Sequence, residues 1–269
     1  NWDDPAVFRE YKRNPLYFKN IIAENYTKKP LPMVFDEIHK QKNWRNILKG
    51  IYDTNKDKIT MLVTGSARLA WYRKSGDSLV GRYFPYQMLP LGLPEATNDF
   101  SHMLMTDEPL RTVNSLTDYL RNIKTANMEE KLEALLAFSG FPEPFIKKSS
   151  RFYNRWNSEY KSLLTKEDIR DLSRISDTKG IGHLIELLPS KVGSLLSINS
   201  IVEDTGSHHA TVTRWLDILK AIYLIFTLRP WHKNITRSIK KETKLYFYDW
   251  TNVTETGLRF ENLLAVSLL

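Results

Sequence analysis

Two adjacent carboxylates, Asp36 and Glu37, close the apolar run Leu31 to Phe35. Side chains alternate along a strand, so consecutive acids point in different directions and can hold two different jobs. One can take a divalent cation with its hard oxygens while the other orients and polarises a water. A second apolar run, Ile59 to Val63, closes on Thr64, Gly65 and Ser66, with Thr64 twenty-seven residues after Glu37. A hydroxyl there, from Thr64 or Ser66, can hydrogen-bond a phosphate oxygen or the attacking water. Further on, Gly81 allows a sharp turn, and Arg82 can be presented from that loop to a phosphate. Each feature also has a plainer reading: a polar strand terminus or acidic N-cap, a hydroxyl helix cap, an exposed surface arginine.

The elements that would position these groups are two buried strands of a parallel sheet, whose carboxyl ends are where such chemistry sits. Between them Trp44, Ile47, Leu48 and Ile51 have the spacing of a helix packed on one sheet face,. Short apolar runs alternating with amphipathic segments up to about Glu95 give the rhythm of an α/β domain. Tyr86 to Pro94, with two prolines and a glycine, reads as a connector,. From Ser115 to Arg174 the pattern is helical, interrupted by a rigid turn at Gly140-Phe141-Pro142-Glu143-Pro144. Arg259 to Leu269 reads as a further amphipathic helix.

Residues 195–224 carry a second pattern. Ser200 to Asp204 predicts a short helix, Thr205-Gly206 a turn, and Ser207 the N-cap of a longer helix through Ile222,. Val212, Leu216 and Leu219 lie on one face and anchor it, which turns Thr213 and Arg214 outward, as in a helix that reads a DNA groove. Tyr223 to Leu228 and Lys244 to Tyr248 alternate like the strands of a hairpin wing. From Arg229 to Lys244 six basic residues face one acid, Glu242. Lys233, Arg237, Lys240 and Lys241 among them are candidates for phosphate contact. Asp217 near the outer face would repel a phosphate backbone, and such modules also dock proteins, so a protein partner or self-association is the competing expectation. His208 and His209 lack further ligands at metal-site spacing.

The chain has 269 residues, 42% of them hydrophobic and 12% aromatic, a core-forming composition with room for two modest domains,. Lys plus Arg number 39 against 31 Asp plus Glu, a net charge of +8 that is compatible with nucleic acid, nucleotide phosphates or an acidic partner,. Cysteine is absent, which excludes disulfides, thiolate metal sites and cysteine nucleophiles and fits a reducing compartment; the expected location is the cytoplasm,. No run approaches eighteen apolar residues, so no membrane partner is expected,.

Asn1-Trp2-Asp3-Asp4-Pro5, VFDEIHK, W..ILKGIYD, TGSARL, SLVGRYFPYQMLPLGLPE, FSGFPEPF and RDLSRI, in this order, resemble the bacterial and archaeal AAA+ ATPases that carry a winged helix and a C-terminal restriction-endonuclease-like domain. The resemblance implies ATP and Mg2+ as ligands. Asp36 would bind magnesium, Glu37 would be the catalytic carboxylate, Thr64 or Ser66 the sensor, and Arg82 an arginine finger. The family's phosphate loop, Gly-x-x-x-x-Gly-Lys-Ser/Thr, does not occur: none of the eleven glycines is followed by lysine. The family places that loop upstream of a strand that Asn1-Trp2-Asp3 would finish. The expectation is therefore a chain cut at both ends, and a poor ATPase as it stands.

The expected fold is α/β: an incomplete P-loop NTPase-like parallel sheet domain over 1–95, a helical connector over 96–180, a winged helix over 181–255, and over 256–269 the start of a further domain. The expected function is Mg-dependent ATP hydrolysis coupled to movement of the winged helix. The alternative is a non-catalytic winged-helix module binding DNA or protein, with the α/β part as scaffold.

Overall fold

The computed structural model describes residues 1–14, 16–65, 79, 81–98, 127–164, 178–230 and 242–269. Two compact units divide the chain, Asn1–Gln87 and Met88–Leu269.

In the first unit Asp4 opens helix α1 (Pro5–Arg13). Its carboxylate accepts from the Ala6 N–H at 2.8 Å, Pro5 fills the first helical position, and Lys12 and Arg13 end the helix at the favourable pole of its dipole,. Helix α2 (Tyr17–Asn25) follows, then strand β1 (Leu31–Asp36), helix α3 (Trp44–Asn55) and strand β2 (Ile59–Thr64). The two strands run parallel, in register from Leu31 opposite Ile59 to Asp36 opposite Thr64. α3 is the crossover that a parallel pair needs.

One face of this pair carries the core. Phe35 and Ile59 pack with Trp2, Ile22, Ile38, Leu48 and Ile51. The period of two along each strand turns Val34 and Leu62 to the other face, where they are 60% and 57% exposed,. Asn1 to Asp3 form a turn, not the end of a strand. The Trp2 N–H still donates to the Asp36 carbonyl at 2.9 Å, and its indole stacks on Phe18. That bond ties the N-terminal turn to the end of β1.

Among the described residues the second unit is helical apart from one antiparallel strand pair. It runs through α4 (Leu93–Thr97), α5 (Met128–Phe138), α6 (Pro142–Lys147), α7 (Ser150–Leu163), α8 (Thr178–Leu187), α9 (Ile198–Thr205) and α10 (His209–Ala221). Strands β3 (Ile225–Leu228) and β4 (Lys244–Phe247) pair next, before α11 (Thr256–Ser267). Three local expectations are corrected. The rigid turn at 140–144 is shorter, because Pro142 starts α6 as its first residue,. The longer helix of the α9–α10 pair is preceded by His208, not Ser207, in the N-cap position, and no side chain caps it. Gly206, left-handed at φ 64°, ends α9 and sets that turn,. The C-terminal helix starts at Thr256, three residues before the expected Arg259, capped by Glu255.

The core of this unit centres on Trp250, Trp215 and Phe247, each at 1% exposure or less. The Trp250 indole donates to the Leu135 carbonyl at 2.8 Å. Gly140 is there for want of a side chain: a Cβ would lie 2.4 Å from the Trp250 ring and 2.6 Å from the Leu91 carbonyl. The buried side chain of Asn262 on α11 pairs with the backbone of Phe247, accepting from its N–H at 2.9 Å and donating to its carbonyl at 2.6 Å.

Candidate functional site

The parallel register brings three sequence-identified residues to one end of the β1–β2 pair. Asp36 and Thr64 are directly opposite, and the Thr64 hydroxyl donates to Asp36 Oδ1 at 2.6 Å. The Glu37 N–H donates to the Thr64 carbonyl at 3.1 Å, which extends the ladder by one bond beyond β1. Glu37 itself is left-handed, φ 57° and ψ 23°. A non-glycine residue in that region costs free energy, and such residues collect at functional sites.

After Glu37 the chain makes a single 3-10 turn, Ile38–Lys40. Residues three apart eclipse in that geometry, so Lys40 returns to the side of Glu37. The Lys40 ammonium lies 3.6 Å from Glu37 Oε2 and 2.5 Å from Asp3 Oδ1. His39 Nε2 lies 3.7 Å from the same Glu37 oxygen. The bond to Asp3 holds the Lys40 ammonium above the ordinary lysine pKa, with Glu37 adding to the effect. Sequence reasoning passed over Asp3 and Lys40. The three-residue spacing of Glu37 and Lys40 in DEIHK was the available signal, but it brings the two together only if the chain turns.

Arg82 forks onto Asp53 of α3, with Nε to Oδ1 at 2.8 Å and Nη2 to Oδ2 at 3.4 Å. The pairing holds the Asp53 carboxyl below its usual range and raises the guanidinium. Ser66 lies outside the described residues, as do Lys233, Arg237, Lys240 and Lys241.

In the second unit Thr213 is half-buried and bonds back to the His209 carbonyl at 2.9 Å, while Arg214 is exposed. A cleft of about 380 Å³ borders this side of α10, lined among others by Ser197, His209, Thr213, Asp217, Lys220 and Glu242. A buried polar knot that sequence reasoning missed joins α7 to the turn after β4. Tyr153 donates to Asp249 Oδ2 at 3.1 Å, and the Thr251 hydroxyl reaches both of those residues. Burial, then the Asp249 charge, pushes the Tyr153 phenol well up. On α11 the Glu261 carboxylate accepts from Lys244 at 2.9 Å and Tyr246 at 2.7 Å, and both hold its pKa down.

The donor set at the β1–β2 end fits a hydrated magnesium ion: a half-buried carboxylate, Asp36, and a hydroxyl, Thr64, both hard oxygen ligands,. No group of three or more His, Asp or Glu among the described residues makes a metal cluster.

Residues 1–97 match a sequence family described as "AAA domain". That stretch is an AAA-like α/β domain. Residues 129–252, which contain all of α6 to α10, α5 but for its first residue, and both strands of the antiparallel pair, match a domain of unknown function, DUF8612. The chain is also 22% identical over 239 residues to an uncharacterized protein of the archaeon Methanocaldococcus jannaschii, MJ1637. The match takes in 86% of this chain and 49% of that protein, so the chain spans about half the length of the curated relative it matches. No solved structure matches it. No helix among the described residues is long and apolar enough to cross a membrane.

Proposed function

We propose that the first unit is the nucleotide-hydrolysing part of an AAA+ type ATPase. The observation that carries this reading is the Asp36–Thr64 register pair with Glu37 one residue beyond it, two carboxylates and a hydroxyl at the carboxyl end of adjacent parallel strands. Asp36 would hold magnesium, with Thr64 fixing the rotamer of its carboxylate. Magnesium, when bound with ATP, supplies neutralisation of phosphate charge. Glu37 would orient the attacking water and take up its proton. Ser66 is a second sensor candidate, and Arg82 would serve as arginine finger after leaving Asp53.

In the second unit α9, the Gly206 turn, α10 and the β3–β4 pair have the element order of a helix-turn-helix with a wing. We read it as a winged helix that moves with the ATPase cycle and meets DNA through Thr213, Arg214 and the basic residues Lys233, Arg237, Lys240 and Lys241. Protein docking is the second reading, favoured by the acids Asp217 and Glu242 in the cleft beside α10. The alternative to both is a wholly non-catalytic chain with the α/β unit as scaffold.

The test is magnesium-dependent ATP hydrolysis by the full-length gene product beside its Glu37→Gln variant. The ATPase reading expects hydrolysis in the wild type and its loss in the variant, with nucleotide still bound. Absence of hydrolysis and of nucleotide binding in both proteins leaves the scaffold reading.

A further inference from the structure

The carboxylate of Glu37 does not stand alone at the strand end. Its Oε2 faces two nitrogens, Lys40 Nζ at 3.6 Å and His39 Nε2 at 3.7 Å, and the same Lys40 ammonium is held by Asp3 Oδ1 at 2.5 Å. Two backbone bonds locate that ammonium. The Lys40 N–H donates to the Glu37 carbonyl at 3.1 Å, which closes the 3-10 turn and brings the two side chains together,. The Trp2 N–H donates to the Asp36 carbonyl at 2.9 Å, which fixes the turn carrying Asp3 against the same strand end. Asp3, Lys40 and Glu37 thus form a chain of alternating charge, each member tied to the backbone around Asp36.

The energetics argue against a stabilising purpose. Lys40 and Asp3 keep 44% and 51% of their side-chain surface in water, and exposed ion pairs contribute little to folding,. An exposed pair can still select one rotamer among the several open to a glutamate, and that choice decides where its oxygens sit. We propose that Lys40, anchored by Asp3, is a positioning residue that sets the orientation of the Glu37 carboxylate at the end of β1. The proposal rests on the reading of Glu37 as the water-orienting group. Lys40 acts through Glu37 and touches no reacting atom.

Two measurements on the full-length gene product test it. The first is the rate at which Lys40 is acetylated by an amine-reactive reagent, read by mass spectrometry against the exposed lysines of the same protein. Breaking the relay by Asp3→Asn or Glu37→Gln should raise that rate roughly two- to fivefold, the scale of an exposed ion pair. The second is steady-state ATP hydrolysis. Lys40→Met should lower kcat about tenfold to a hundredfold, the scale of a mispositioned group, with KM and melting temperature little changed. Lys40→Arg should recover much of the loss. Unchanged acetylation in both variants, or a wild-type kcat in Lys40→Met, overturns the positioning role while leaving the ATPase reading in place. An inert wild type overturns both, so the two failures are told apart.

Discussion

Across the β1–β2 register the Thr64 hydroxyl donates to Asp36 Oδ1 at 2.6 Å, so the strand ends carry one joined polar unit. Valine matches threonine in shape but cannot donate. Thr64→Val therefore leaves the half-buried Asp36 carboxylate one bond short, at a cost of about 1–2 kcal/mol. Thr64→Ser keeps the donor and should stay within ~0.5 kcal/mol of wild type. Urea unfolding of the two variants separates a working bond from a mere strand terminus. Equal stability of valine and serine at this position would mean the bond contributes nothing.

Gly140 tests the packing of the second unit. An added methyl would meet the Trp250 ring at 2.4 Å and the Leu91 carbonyl at 2.6 Å. A backbone oxygen and a fully buried indole both yield poorly, so Gly140→Ala should destabilise by about 1–3 kcal/mol, the range for overpacking. The readout is the shift in urea midpoint at constant slope. Because Trp250 reports on the same place, its fluorescence should shift in the folded variant as well.

The triad that joins β4 to α11 has a pH signature. Lys244 and then Tyr246 hold the folded Glu261 carboxyl below its ordinary value of 4.5. A group whose folded pKa is depressed adds stability that is present above the unfolded pKa and is lost as pH falls through the folded value. Melting temperatures of wild type and Glu261→Gln should therefore differ at neutral pH and converge in acid below the usual carboxylate range. A gap that stays constant down to acid pH would assign the effect to packing rather than charge.

Much of the first unit is legible in the sequence for a simple reason: its information is local. The apolar runs before Asp36 and Thr64 announce strands, and Trp44, Ile47, Leu48 and Ile51 announce the helix between them. A helix between two strands is the crossover that a parallel pair needs, and the parallel pairing places both run ends side by side,. What the sequence conceals are features without a local pattern. The left-handed backbone at Glu37 contradicts its residue type, and without that kink Lys40 is simply the next surface lysine. The knot of Tyr153 and Asp249 joins residues 96 positions apart, which no periodicity reports. Ser207 looked like a helix cap by type, whereas the left-handed Gly206 turn delays the helix until His208 takes the cap position.

The partner of the second unit is decided by salt. Arg214 is exposed on α10, and Lys240 and Lys241 bring further positive charge from the 229–244 segment. If these side chains neutralise DNA phosphates, affinity for duplex DNA falls linearly with salt on logarithmic axes, and each contact removed flattens the slope by about 0.9. Lys240→Gln with Lys241→Gln should then weaken binding to every sequence alike, because phosphate contacts carry no base information. Arg214→Ala would relax sequence preference instead if it reaches a base edge. Protein docking makes the opposite forecast. Duplex DNA fails to bind even at low salt, and charge reversal at Asp217 and Glu242, which line the cleft beside α10, disrupts the complex while the lysine pair can be replaced without effect.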